Sequence, residues 1–461
     1  MKWAVRRHLQ ISKKLWEKKM KNSESLIKIL TPNEIEEEFI PQLESSTKEL
    51  FKVLSKFRYL KNYPSREMVF SIMKEVDRIE TFLDDVGASL NKRFSYFRKL
   101  IASIRWMNIV IFQGIHILIR FDSYMLELKE NDKKKFIQEL SETVNRCLTD
   151  LKILIKELQA DAIKIGVKKP SVKPSNKTFS AEIQQKLLPQ DIDVFVAKET
   201  GEASIDILVK FLESLEFFNT FFCQNNADVH YTEESFEHYR SIFNRLESLY
   251  DTYLRNAEIE KDHPLLRGVR SSIAVTLHLL EMGKALAHFY ERHGESLLEM
   301  KPSLKKSNFA NKKDIDSVMK DFLIHYSIFF LNNGRDFAST VFKKMGKDAD
   351  EYIYTTKMLN VQSHRLEDFH LRPIMPVTQI ANKYKLNTYL YQNRNKYNLK
   401  SAIEMAIAIP DIRDDLEKSN IDMIVQGPRK AVEEIAKFFY DRCGAIEKPI
   451  VCDKTFSPQS F

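Results

Sequence analysis

The chain has 461 residues, 43% hydrophobic and 30% charged, which is enough apolar material for real cores and for about three domains of roughly 150 residues each. Only 11 residues are glycine, roughly a third of the usual ~7%, so long helices with sparse turns are expected; neither G-x-G-x-x-G nor G-x-x-x-x-G-K-[ST] occurs, which argues against a dinucleotide fold or a P-loop enzyme. The four cysteines, Cys147, Cys223, Cys443 and Cys452, include no C-x-x-C pair; that argues against a disulfide scaffold or zinc ribbon and fits a reducing, cytoplasmic setting.

The formal net charge of +8 is concentrated at the start of the chain: residues 1–21 hold eight Lys and Arg against Glu17 alone, so the other 440 residues sum to +1. Folded domains that bind nucleic acid carry a basic face, and net charge gives no sign of one here, so nucleic acid is not an expected partner. Residues 1–23 form a basic arm in which Trp3, Val5, Leu9, Leu15, Trp16 and Met20 interleave with the lysines. Two readings stand: a first helix with its apolar side packed inward, or a segment lying on an anionic membrane surface. No secretory leader is read there.

Residues 24–163 read as a helical domain. Phe51, Leu54, Phe57 and Leu60 recur every third residue; Val69, Ile72, Met73 and Val76, and then Leu140, Val144, Leu148, Leu151 and Leu154, recur at helical intervals. Met107–Ile119 is almost purely apolar, but 13 residues fall short of the roughly 20 needed to span a bilayer, so a buried core helix is expected, with His116 inside it as a core histidine. Residues 164–189, opening with KIGVKKPSVKPSNK, read as an exposed linker. A second helical domain is expected over 190–350. Glu234 with His238, and Glu281 with His288, sit at intervals that share a helix face, yet the repeated E-x-x-H set of a di-metal bundle is missing, so no metal or organic cofactor is expected.

The pattern changes near residue 352. Tyr352, Tyr354, Met358 and Val361 begin a β-prone run, and Asn387–Leu399 alternates like a hairpin around an Asn-rich turn. Helical spacing occupies Pro376–Tyr384, Ser401–Ile409 and Lys430–Tyr440, and Ile421–Val425 reads as a strand. The order β-α-β-β-α-β-α over 353–446 predicts an open-faced α+β sandwich, an antiparallel sheet with helices on one face, followed by a tail at 447–461.

D-F-H-L-R-P (368–373), A-N-K-Y (381–384), N-L-K-S (398–401) and V-Q-G (425–427) resemble the HPr phosphocarrier of the bacterial sugar phosphotransferase system, over about a fifth of the chain. The resemblance implies that His370 accepts a phosphoryl group from an enzyme I-like donor and passes it to acceptor proteins, and that Arg372 binds the phosphate. It also implies that Ser401 is a regulatory target for an HPr kinase, with Lys400 and Met405 beside it as partner surface. Such a protein is a carrier or regulator rather than an enzyme in its own right. The residues support the chemistry independently. A histidine just before a helix lies beside N–H groups that have no intrahelical acceptor and at the positive end of the dipole, where phosphoryl oxygens bind. An arginine supplies a charge-assisted fork, and Pro373 loses no hydrogen bond in a first turn. Ser401-Ala-Ile-Glu404 also reads as a capping box. Phe369 stands where the family has glycine, and Pro376 leaves two helix starts open, Leu371 or Pro376. If the helix begins at Pro376, the domain is an HPr-like interaction module with no transfer chemistry.

Overall fold

The structure, a computed structural model, describes residues 29–57, 60, 63–168, 201–223, 231–294, 312–392 and 395–448. The basic arm over residues 1–23, nearly all of the stretch over 164–189 and nearly all of the tail lie outside the described residues. Most of the rest is helix. Eight helices have 18 residues or more among the described residues: α1 Ile40–Phe57, α2 Arg66–Asp85, α3 Ser95–Arg120, α4 Glu130–Lys164, α5 Gly201–Cys223, α6 Glu233–Tyr253, α7 Leu266–Phe289 and α8 His325–Lys344. Their starts follow local chemistry. Ser65 precedes α2 and its hydroxyl accepts from Met68 N; Thr232 precedes α6 and accepts from Ser235 N.

The apolar segment Met107–Ile119 is the middle of α3, which packs against α2, α4 and α7. Helix α3 and its C-terminal extension to Ser123 are long and apolar enough to cross a membrane, but the most apolar 18-residue window is 67% buried within the fold. An apolar surface running most of the way round a helix is what a central position requires. The two helical blocks do not form separate domains. One apolar core runs from Phe39 to Tyr354 through both. Phe136 of α4 lies 4.9 Å from Phe330 and 4.8 Å from Tyr326, both on α8, and Trp106 of α3 stacks at 3.7 Å on His288 of α7. The stretch over 164–189 therefore interrupts the sequence pattern without dividing the core.

Close helix crossings use the few glycines. At Gly283 of α7 a Cβ would meet the Phe236 ring at 2.2 Å.

The C-terminal part is a five-stranded antiparallel sheet with its own core. Its elements are β1 Tyr354–Val361, α9 Leu371–Lys383, β2 Tyr389–Gln392, β3 Asn395–Asn398, α10 Ala402–Leu416, β4 Ile421–Pro428, α11 Arg429–Cys443 and β5 Ile446–Lys448. The sheet order is β3-β2-β4-β1-β5. Leu359 pairs with Met423 and Leu390 with Val425, so residues on one face of β1 to β4 turn toward α9, α10 and α11 and close a core with Ile374, Ile412, Ile435 and Phe439. Gly427 lets β4 pass the loop before β2, where a Cβ would sit 2.8 Å from Thr388.

Three expectations are corrected. The sheet is not open-faced: its second face packs on α5, where Thr220 Oγ1 lies 3.1 Å from Thr356 Oγ1, Phe217 meets Tyr391 edge-on at 6.1 Å and Lys396 Nζ sits 5.0 Å over the Phe217 ring. That face carries Tyr, Thr, Gln and Lys, side chains that tolerate water or a polar helix equally, so strand alternation alone does not reveal the cover. The domain also extends past residue 446, because β5 adds an edge strand to β1 through pairs such as Leu359 with Glu447. Finally, α10 runs through Pro410 to Leu416 instead of stopping at Ile409.

Replacing Gly283 with Ala should destabilise the fold by about 1–3 kcal/mol through overpacking against Phe236, outweighing the ~1 kcal/mol that alanine gains in helix propensity. Urea unfolding of the single variant measures the sign.

Candidate functional site

The approach to His370 is fixed from both sides. A short 3-10 helix, Ser363–Asp368, follows β1; within it Arg365 pairs with Asp368 at 2.6 Å and donates to Arg442 O at 2.8 Å. Phe369 is next, 1% exposed, its ring stacked on Phe439 of α11 at 6.2 Å and 13°. With its neighbour anchored in the core, His370 is extended (φ −120°, ψ 160°) at the N-cap of α9 and is exposed, and its carbonyl accepts from Ile374 N at 3.2 Å.

The helix begins at Leu371 and runs through Pro376. Pro373 lies in the first turn, where a missing N–H costs nothing. Pro376 removes one bond, the donor to Arg372 O, and the helix carries that single loss. The N–H groups of Leu371 and Arg372 stand in the first turn, where a helix offers no acceptor of its own.

The guanidinium beside the ring comes from α10. Arg413 Nη1 lies 2.7 Å from His370 Nε2 and 2.9 Å from His370 Nδ1, and it also donates to Phe369 O at 3.2 Å. Arg372 is exposed and makes no hydrogen bond or ion pair among the described residues. The phosphate-binding arginine expected from sequence is thus adjacent in the chain, while the one that touches the ring is 43 residues away. Arg413 was hidden by Pro410, which suggests a helix end at Ile409. The i, i+3 and i+4 continuation through Ile412 and Leu416 is the signal that carries the helix on to it.

Ser401 is the N-cap of α10: its hydroxyl accepts from Glu404 N at 3.1 Å. The reciprocal half of the capping box is not made. Glu404 Oε2 instead accepts from Asn398 N at 2.7 Å, tying the helix start to β3. Lys400 Nζ donates to Tyr384 O at 2.6 Å and Lys385 O at 2.8 Å, a cation at the C-terminal end of α9 where the dipole favours it. Met405 is 1% exposed and belongs to the core, so it offers no partner surface. The outward positions of α10 are taken by Ile403 and Ile407, 75% and 56% exposed.

In the helical body, His288 Nδ1 contacts Glu233 Oε2 at 2.8 Å, whereas Glu281 faces Arg240 at 3.3 Å. Among the described residues no three His, Cys, Asp or Glu side chains converge as a metal site.

Ser401→Ala should cost about 1 kcal/mol by removing a cap, whereas Ser401→Asp, which can still accept from Glu404 N, should cost less; thermal unfolding of the two variants separates capping from any other role of the hydroxyl. Comparison of the chain with models of protein families, with curated proteins and with solved structures finds no match.

Proposed function

We propose that the C-terminal α+β domain is an HPr-like phosphoryl-accepting module, with His370 as acceptor, presented on a large helical body. The observation that carries this reading is the start of α9 at Leu371, which leaves the exposed imidazole at a helix N-terminus with the Arg413 guanidinium against it. In the reaction a nitrogen of His370 attacks the donor's phosphorus; the new P–N bond forms as the bond to the donor breaks. Such transfers need positioning and charge stabilisation more than covalent help. The N–H groups of Leu371 and Arg372 and the fork of Arg413 supply both, and exposed Arg372 is free to close on the oxygens from solvent.

The order β-α-β-β-α-β-α, to which β5 is added at the sheet edge, also agrees with the reading. The exposed pair Ile403 and Ile407 lies on the helix that carries Arg413 and offers a donor or acceptor protein an apolar surface on the same domain. The same apolar pair favours a second reading, a docking module without transfer.

Incubation with enzyme I and labelled phosphoenolpyruvate should place acid-labile phosphate on the wild-type chain and none on His370→Ala. Arg413→Gln should lower the transfer rate about 10- to 100-fold, the loss of one charge-assisted contact of about 1.5–3 kcal/mol. A folded wild-type protein that takes no label, or label that survives in His370→Ala, would sink the carrier reading and leave the docking module.

A further inference from the structure

One face of α3 carries Phe112, His116 and Arg120 at successive turns. Opposite them, Arg66 of α2 places its guanidinium 4.9 Å from the Phe112 ring centre, and His278 of α7 lies 4.3 Å from His116 with its Nδ1 2.8 Å from Gln113 Oε1. Burial, then Arg66 and Arg120, hold His116 down at about 4. Burial also pushes the Tyr124 hydroxyl up to about 12, in the field of Arg270, Glu247, Arg120 and Arg66. Of these arginines, Arg270 has its anions: Glu247 at 2.6 Å and Asp251 at 3.0 Å. Arg66 and Arg120 are half-buried and make no hydrogen bond or ion pair among the described residues, and Arg66 Nε is shut off from solvent with no acceptor. Partly desolvated guanidinium groups without an anion are unfavourable, and their planar donor forks match tetrahedral oxyanions.

We infer that this cluster binds a tetrahedral oxyanion, inorganic phosphate or the phosphate of a small phosphomonoester, between Arg66 and Arg120, with the His116 ring and the Tyr124 hydroxyl as further donors. The site lies in the helical body and does not rest on the role given to His370.

The test uses the full chain carrying His370→Ala, Arg372→Gln and Arg413→Gln, which weakens anion binding at the C-terminal domain by removing both guanidinium groups, and the same background is kept in every arm. Thermal unfolding is followed in inorganic phosphate and in glycerol 3-phosphate, each against sodium chloride at equal ionic strength. Either anion should raise Tm by about 2 °C or more in a saturable manner; a lower half-saturating concentration for glycerol 3-phosphate would mark the ester as the better ligand. Adding Arg66→Gln and Arg120→Gln should abolish the rise while leaving Tm without phosphate within about 2 °C of the parent, because the lost contact of Arg66 with the Phe112 ring is offset by the relief of two unpaired charges. The inference is overturned if neither anion acts beyond chloride, if the rise survives both substitutions, or if the substituted chain unfolds well below its parent without phosphate, since the arginines would then be structural.

Discussion

The buried ring of Phe369 decides where α9 begins. With that side chain stacked on Phe439 and the preceding turn clamped by Arg365, the backbone of His370 is held extended, and helical geometry starts at the next residue. A smaller residue at 369 would leave that boundary to the local preferences of a segment holding Pro373 and Pro376, and Pro376 alone would favour a later start. Core packing thus fixes an exposed site: the imidazole, the two first-turn amides and the reach of Arg413 all depend on it.

The parts around this boundary reinforce one another. Arg413 joins α10 to the carbonyl of Phe369 and to the His370 ring, while Lys400 at the start of α10 closes the C-terminal end of α9. Helices α9 and α10 are therefore tied at both ends, and the ring stands on a rigid platform. The opposite face of the sheet is occupied by α5, so the helical body supports the domain from behind and leaves the His370 side outward. Ion pairs of Asp350 with Arg429 at 2.9 Å, and of Asp348 with Lys430, add to that support at the junction.

How much of this was legible follows from the range of each interaction. Strand alternation and helical spacing are local, so the β-α order of the last hundred residues, and the identity of Ser401 as a helix cap, could be read from sequence, whereas the choice between Leu371 and Pro376 as the start of α9 could not. The packing partners were not. Thr220 meets Thr356 across 136 residues, and Arg413 meets His370 across 43; no periodicity encodes either pairing. The single helical core was missed because a Pro- and Lys-rich stretch looks like a domain boundary whether or not the flanking helices share a core. Proline misled twice, at Pro376 and Pro410, since in both places tertiary packing carries the helix past a lost hydrogen bond. The cluster around Arg66 and Arg120 gave no sequence signal, because its members come from separate helices at unremarkable spacings.

In the proposed carrier, the amides of Leu371 and Arg372 face the place where a phosphoryl group on His370 rests. Amide-resolved NMR of the full chain before and after phosphorylation measures this directly. The Leu371 and Arg372 resonances should undergo the largest amide shifts in the chain, downfield as each N–H gains an anionic acceptor, while those beyond Pro376 barely move. Phosphorylation that leaves these two amides in place, or carbon shifts showing that the helix begins at Pro376, would contradict it.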